Sequence, residues 1–384
     1  MKPLKLLVAA IIFVGSLKLF AQTWTQTSAL ILNWTSIASS ADGVKLAAAV
    51  FGGGVYTSTN SGATWKLTGA PALYWNSIAS SADGAKLVVV GNGTLGLLCP
   101  IYLSTNAGAT WTAGNAPANV YWSSVASSAD GTRLAVAGYS GKIYISMNSG
   151  GTWRDSGAPH NNWYGIASSA DGTRLVAVAN NDHIFTNATG EWSVCGAPKT
   201  NWYSVASSAD GRRLIAGGQS GPVYTSTNYG ATWRTNNIPG GFWTSVASSA
   251  DGTRLIAESG HPTVGAIYTS TNSGGNWISN AVANKSWEGA VSSADGNKLA
   301  AVVFNGGIFT SALMPQPQLS MMSSNRTLMF TWTIPSTNFV LQQSVDLANW
   351  TGVVNPMVVD LANLQNRVTT SQSVQSAFFR LKTP

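Results

Sequence analysis

The carboxylates decide how much acid–base chemistry this chain can hold. Of its 14 acidic residues, half are aspartates in one recurring Ala-Asp-Gly hairpin: Asp42, Asp83, Asp130, Asp171, Asp210, Asp251 and Asp295. A residue present in every copy of a repeat serves the repeat. Three positions on stand Lys45, Lys86, Arg133, Arg174, Arg213, Arg254 and Lys298, read here as exposed ion-pair partners worth about 0–1 kcal/mol each. Asp155, Asp182, Asp346, Asp360, Glu191, Glu258 and Glu288 remain. A glycosidase needs two carboxyl groups about 5–10 Å apart across one sugar bond, and Asp182, Glu258 and Glu288 are the set that one face of the fold could gather.

Other chemistry is thinly supplied. His160, His183 and His261 are the only histidines. None has a partner at metal-ligand spacing, so they read as loop residues, and neither a metal nor a cofactor is expected. No Ser-His-Asp context and no phosphate-cradling loop before a helix occurs. The expectation is a chain without catalytic residues.

Composition points the same way. Charged residues make up 9% of the chain, against about a quarter in average soluble proteins, while Gly (40) and Trp (16) are abundant. Many short strands joined by tight turns suit that profile. Lys2 and Lys5 followed by the apolar stretch 6–14 read as a secretory signal cut after Ala21, too short to span a bilayer. Its loss removes Lys2, Lys5 and Lys18 from a net charge of +7. No basic run exists, so nucleic acid is not an expected partner. Cys99 and Cys195 lie two repeats apart and are read as separate thiols, since a disulfide needs Cα atoms about 4.4–6.8 Å apart.

The elements that must position these residues follow from self-similarity. Trp34-Thr-Ser-Ile-Ala-Ser-Ser-Ala-Asp-Gly43 recurs with small changes from Trp75, Trp122, Trp163, Trp202, Trp243 and Trp287, at spacings of 41, 47, 41, 39, 41 and 44 residues. Each copy offers four short strands, in the first copy over 34–39, 46–51, 55–59 and from 65. A four-stranded sheet with two apolar faces and open edges cannot stand alone, and radial stacking solves this. The last copy lacks its fourth strand, whereas the segment from Gln22 resembles the end of a repeat. Trp24 lies ten residues before Trp34, as Trp65 lies ten before Trp75. The N-terminus is therefore expected to complete the last sheet.

Ser58-Thr-Asn-Ser-Gly-Ala-Thr-Trp65 resembles the Asp-box turn, with Asn60, Asn106, Asn148, Asn228 and Asn272 where that family usually has Asp. Asn supports the same turn bonds. Asp-box propellers include sialidases, xyloglucanases, sortilin-type receptors and the photosystem II assembly factor-like group, and spacing and hairpin resemble the last group most. The sialidase inventory is lacking: there is no Arg-Ile-Pro, and no arginine precedes Arg133. In the tail, 339–351 and Phe378-Phe-Arg-Leu381 resemble small fibronectin type III-like modules of secreted proteins from Verrucomicrobia-like bacteria.

The resulting expectation is an all-β chain: signal peptide 1–21, seven-bladed β-propeller 22–313, linker 314–318 and a small sandwich-like β-domain 319–384. Its function is read as secreted, non-catalytic binding of an extracellular glycan or protein by a monomer, with a sialidase-like hydrolase as the alternative. The variable face, carrying 91–100, 180–183 and 259–264, should hold the site. Candidate ligand residues are Trp34, Trp75, Trp122, Trp163, Trp202, Trp243 and Trp287, whose rings could stack on sugars, with Tyr164, Tyr203, Asp182, His183, Glu258, His261 and Glu288.

Overall fold

The structure, a computed structural model, describes residues 22–92, 101–117, 120–188, 190–236, 238–239, 241–260, 262, 264–280, 282–312, 319–324, 327–333, 340–346, 348–353, 357–360, 365–371 and 378–382. The proposed signal peptide, the linker, Cys99 and His261 lie outside the described residues. Two compact units are present, one spanning Phe20–Leu313 and one holding Met314–Pro384.

Each repeat in the larger unit folds into antiparallel strands. In the first they are Trp34–Ser39, Leu46–Gly53, Val55–Ser58 and Lys66–Leu67. The second strand is built of small apolar residues because both of its faces are covered: Ala47, Ala48 and Ala49 are all buried. The innermost strands Trp34–Ser39, Leu73–Ser80, Tyr121–Ser127, Trp163–Ser168, Trp202–Ser207, Trp243–Ser248 and Trp287–Ser292 each lie beside the next, and the last lies beside the first. This is a β-propeller. Trp24–Gln26 pairs antiparallel with Ile308–Ala312, Trp24 opposite Ser311, and forms the outer edge of the final sheet.

Three repeated contacts join the sheets. At the hairpin end, Ala41 N–H donates to Ala82 O, and the relay continues through Ala129, Ala170, Ala209, Ala250 and Ala294 back to Ala41, every link 2.7 Å. Mid-channel, the hydroxyls of Ser36, Ser77, Ser124, Ser204 and Ser245 each accept the backbone N–H of Ile78, Val125, Ile166, Val246 and Ala290 in the next sheet. The relay of serines is interrupted where Gly165 and Gly289 replace them.

The third contact revises the hairpin ion pairs. Asp42 is occupied within its own turn, accepting from Ser40 Oγ at 2.5 Å and Val44 N–H at 2.9 Å. Lys45 instead reaches the next hairpin and donates to Asp83 O at 2.9 Å. Its stem passes over Gly84, whose φ is +67° and where a Cβ would sit 2.8 Å from Lys45 Cδ. Glycine is thus required twice over, for backbone conformation and for space. The asparagines act as turn residues: Asn60 Oδ1 accepts from Ser58 Oγ and Thr64 N–H, both at 2.9 Å.

The C-terminal unit has two small sheets. One orders Ser320–Ser324, Thr327–Thr333, Gln365–Ser371 and Val358–Asp360; the other orders Thr351–Gly352, Val340–Ser344 and Phe378–Lys382. Leu328, Phe330, Trp332 and Val368 of the first meet Leu341 and Phe379 of the second in one apolar cluster.

Candidate functional site

A cavity of about 540 Å³ lies where the innermost strands converge, lined from every sheet of the ring. Its floor and walls are the residues just after each repeat tryptophan, among them Thr35, Asn76, Ser123, Tyr164, Tyr203, Thr244 and Glu288. These positions lie toward the end of the channel opposite the alanine relay, because each innermost strand runs from its tryptophan to its hairpin. The size falls within the usual range of about 300–1,000 Å³ for ligand pockets.

The tryptophans themselves are corrected. Trp34, Trp75, Trp122, Trp163, Trp202, Trp243 and Trp287 are each 0% exposed, so no indole face is open to stack on a ligand. Each ring is wedged between sheets. Trp34 packs with Ala300, Val302 and Ile308 of the last sheet and meets Tyr56 edge-on at 5.2 Å. Trp163 does the same against Ala135, Ala137 and Ile143, with Phe185 at 5.1 Å.

Other aromatic residues supply the open surface. Tyr139, Tyr164, Tyr203 and Phe242 form a continuous arc across four sheets, with successive ring centroids 5.5, 5.1 and 4.9 Å apart. Tyr121 also lines the cavity and is 60% exposed. Tyr164 and Tyr203 were legible candidates in the sequence. Tyr139 was not, because it ends a second strand, where no repeat pattern marks it. Burial pushes the Tyr203 phenol up, helped by the nearby Glu288 and Tyr164.

Glu258 and Glu288 come together; Asp182 does not join them. Glu288 lines the cavity, and burial pushes its carboxyl up to about 8. Glu258, on the strand Leu255–Ser259, is 0% exposed, and neither of its carboxyl oxygens meets a hydrogen-bond partner among the described residues. Burial first, then the charge of Glu288, hold it well above the ordinary carboxylate range. Asp182 sits in a loop of the fourth repeat, accepting from Asn161 Nδ2 at 2.6 Å and from His183 N–H at 2.9 Å. Burial raises its carboxyl, but the Asn161 and His183 hydrogen bonds outweigh this and leave it below the usual range. His183 Nδ1 lies 3.0 Å from the same carboxylate. Cys195 is a buried free thiol that burial pushes up. No group of three or more His, Cys, Asp or Glu able to hold a metal occurs among the described residues.

The fold and cavity define a propeller with a central pocket. No protein-family model matches the chain, and no curated protein matches it. Solved structures do. The chain is similar to the GH74 xyloglucanase from Xanthomonas campestris (14% identity, TM-score 0.62), over 81% of this chain and 59% of that one. It is also similar to YCF48 from Cyanidioschyzon merolae (14% identity, TM-score 0.59), over 75% of this chain and 98% of that one. A structure of YCF48 bound to D1 peptide matches at 14% identity and TM-score 0.57, over 80% and 100% of the two chains. The chain thus spans less than two thirds of the xyloglucanase. These likenesses establish the β-propeller fold.

Proposed function

We propose that this protein is a secreted, non-catalytic, seven-bladed binding propeller whose ligand, a peptide or glycan segment, enters the central cavity from the variable face. The observation that carries the reading is the makeup of that cavity: a tyrosine arc facing hydroxyls, two amides and a single lining carboxyl. Such walls hold a ligand by stacking and hydrogen bonding. The YCF48 likeness, with a bound peptide in one structure, is in keeping with a peptide ligand. In the same reading the Asn turns are Asp-box variants, the chain is a monomer, and the C-terminal unit is a fibronectin type III-like module.

A glycoside hydrolase is the second reading, favoured by the xyloglucanase likeness. Against it, the two adjacent glutamates belong to neighbouring sheets on one side of the ring, and Glu258 is sealed from solvent. Two carboxyl groups must flank a sugar bond to cleave it. The test is a combined peptide and glycan array on the mature chain, with Tyr164→Ala as the control, beside a hydrolysis screen on sialosides and β-glucans. Capture that depends on Tyr164 supports the binding reading. Turnover abolished by Glu288→Gln overturns it in favour of the enzyme.

A further inference from the structure

The turn between the third and fourth strands gives an internal reference for one junction of the ring. In five repeats it spans eight residues, as in Ser58–Trp65, but the fourth repeat closes it in six, Asn187–Trp192. Strand register fixes the correspondence, because Thr186 faces Ser193 as Thr57 faces Lys66. In the full-length turn the fourth and fifth residues both have positive φ, as with Ser149 at 55° and Gly150 at 86°. They seat the turn on the preceding sheet. A Cβ on Gly108 would lie 3.0 Å from Thr57 Cγ2 and 3.1 Å from Thr68 Cγ2, and one on Gly230 would lie 2.8 Å from Cys195 Sγ. A Cβ on Gly190, in the shortened turn, would meet nothing within 4 Å. Thr189 lies outside the described residues, but its turn is two residues short whatever course it takes.

Between the third and fourth sheets the result is a groove of about 270 Å³. Grooves at the matching place measure about 110 Å³ between the last and first sheets, 10 Å³ between the first and second, and 100 Å³ between the fourth and fifth. Each of those three holds the fourth turn residue of the following sheet: Ser61, Ala107 or Tyr229. The larger groove is lined instead by Ile145 and Ser156, the counterparts of Thr57 and Thr68, and by Arg133 and Arg154.

Elsewhere, cations at these two positions meet the full-length turn of the next sheet. Lys86, matching Arg133, donates to Ser149 Oγ at 3.2 Å, and Lys298 donates to Ser61 Oγ at 3.4 Å. Arg174 lies 4.4 Å from the Tyr229 ring. Arg234, matching Arg154, donates to Gly274 O at 2.8 Å. At the short turn the residues that would receive Arg133 and Arg154 are the ones the sequence lacks, and neither guanidinium has a hydrogen-bond or ion-pair partner among the described residues. The acids nearby are already engaged. Asp155 pairs with Lys142 at 2.5 Å, and Asp171 accepts from Ser169 Oγ at 2.6 Å and Thr173 Oγ1 at 2.8 Å in its own turn. Two guanidinium forks beside a seat shaped for a peptide turn suit a peptide that carries a carboxylate.

We infer that this groove is a second binding site, which receives from a partner protein an Asp-Gly turn of the kind the fourth repeat lacks. The Asp carboxylate bonds Arg133, the glycine carbonyl accepts from Arg154 as Gly274 O does from Arg234, and the glycine packs on Ile145 and Ser156. Aspartate suits the fourth place because it enters the left-handed region more readily than most residues. Glycine suits the fifth because it brings no Cβ. A free phosphate or sulfate would use the guanidiniums and leave the seat beside Ile145 unused. Gly172 and Thr173 of the hairpin also line the groove, so it lies toward the end of the ring remote from the central cavity, and the inference stands apart from the reading of that cavity.

Isothermal titration calorimetry of the mature chain tests this with the peptide Ser-Thr-Asn-Asp-Gly-Ala-Thr, ring-closed by flanking cysteines, against its Ser-Thr-Asn-Asn-Gly-Ala-Thr analogue. The Asp peptide should bind about tenfold more tightly, the least that a hydrogen bond to a charged group confers. Arg133→Met, which keeps the stem that covers Gly172 but not the charge, should erase that preference. Arg154→Met should weaken both peptides alike. Replacing residues 188–191 with Thr-Asn-Ser-Gly-Ala-Thr restores the full turn and should abolish binding of both peptides without lowering the melting temperature. No binding of the Asp peptide, equal affinities for the two, or a preference that survives Arg133→Met would overturn the inference. Binding that persists in the folded chain with the restored turn would do the same, as would displacement of the Asp peptide by an equal concentration of inorganic phosphate, which assigns the groove to free anions. Tyr164→Ala should leave these titrations unchanged, so failure here is distinct from failure of the central cavity as a binding site.

Discussion

Replacing Glu258 with Val should stabilise the protein, and increasingly so as pH rises. The side chain is fully buried without a hydrogen-bond partner, which costs the wild type about 1–3 kcal/mol even when protonated. Valine has two fewer side-chain heavy atoms, and the small cavity left behind returns about 1 kcal/mol of that. Below about pH 4, where the acid is protonated in both states, the net gain is therefore on the order of 0–2 kcal/mol. The pH dependence is the sharper signature. An acid whose folded titration lies above its unfolded one binds the extra proton in the folded state, so its contribution is intact below the unfolded value near 4.3 and erodes as pH rises. The variant escapes this erosion, gaining about 1.4 kcal/mol per pH unit above that point until Glu258 ionises in the folded wild type. Urea midpoints followed by tryptophan fluorescence at several pH values between about 5 and 8 measure it, read at unchanged slope. A midpoint difference that is flat with pH, or a variant weaker than wild type at pH 8, refutes the assignment of a sealed, unpaired acid.

Further expectations follow from neighbouring features. Trp122→Ala should cost about 3–5 kcal/mol in calorimetry, while Tyr121→Ala, exposed at the cavity mouth, should stay within about 0.5 kcal/mol and instead weaken ligand capture. Deleting 22–30 removes the strand that covers Ile308–Ala312 and should lower the melting temperature by several degrees. Asp130 and Asp171 are held at about 2 by the hydroxyls of Ser128 and Ser169, with backbone and threonine bonds besides. Their support is present at neutral pH and fades as pH falls through about 4 toward 2, so Ser128→Ala should move the acid-unfolding midpoint upward.

What the chain disclosed in advance divides along physical lines. The β-propeller was legible because one sequence repeated at a fixed period must make one structure repeated around an axis. The cavity was only half legible. Tryptophans at the head of every innermost strand were read as possible stacking platforms, yet their burial is set by the neighbouring sheet, whose residues lie some 40 positions away in sequence. The orientation of Glu258 was hidden for a related reason. Leu255, Ile256, Ala257 and Glu258 are all buried, so no alternation of polar and apolar residues marks which side each faces. The lysine and arginine reach to the following hairpin was missed because proximity in sequence suggested a partner three residues away.

The alanine relay has a consequence for the field inside the channel. In a helix, amide dipoles align along an axis and leave partial charges at its ends. Here each N–H points to the carbonyl of the next sheet around a closed circuit, so the dipoles circulate like a current loop and cancel in sum. The relay itself therefore adds no net dipole at that end, and the charge there comes from the hairpin aspartates and the lysines and arginines beside them. Direction along the channel axis is therefore set by side chains, and Glu288 at the cavity end gives the molecule a polarity that its repeated scaffold does not.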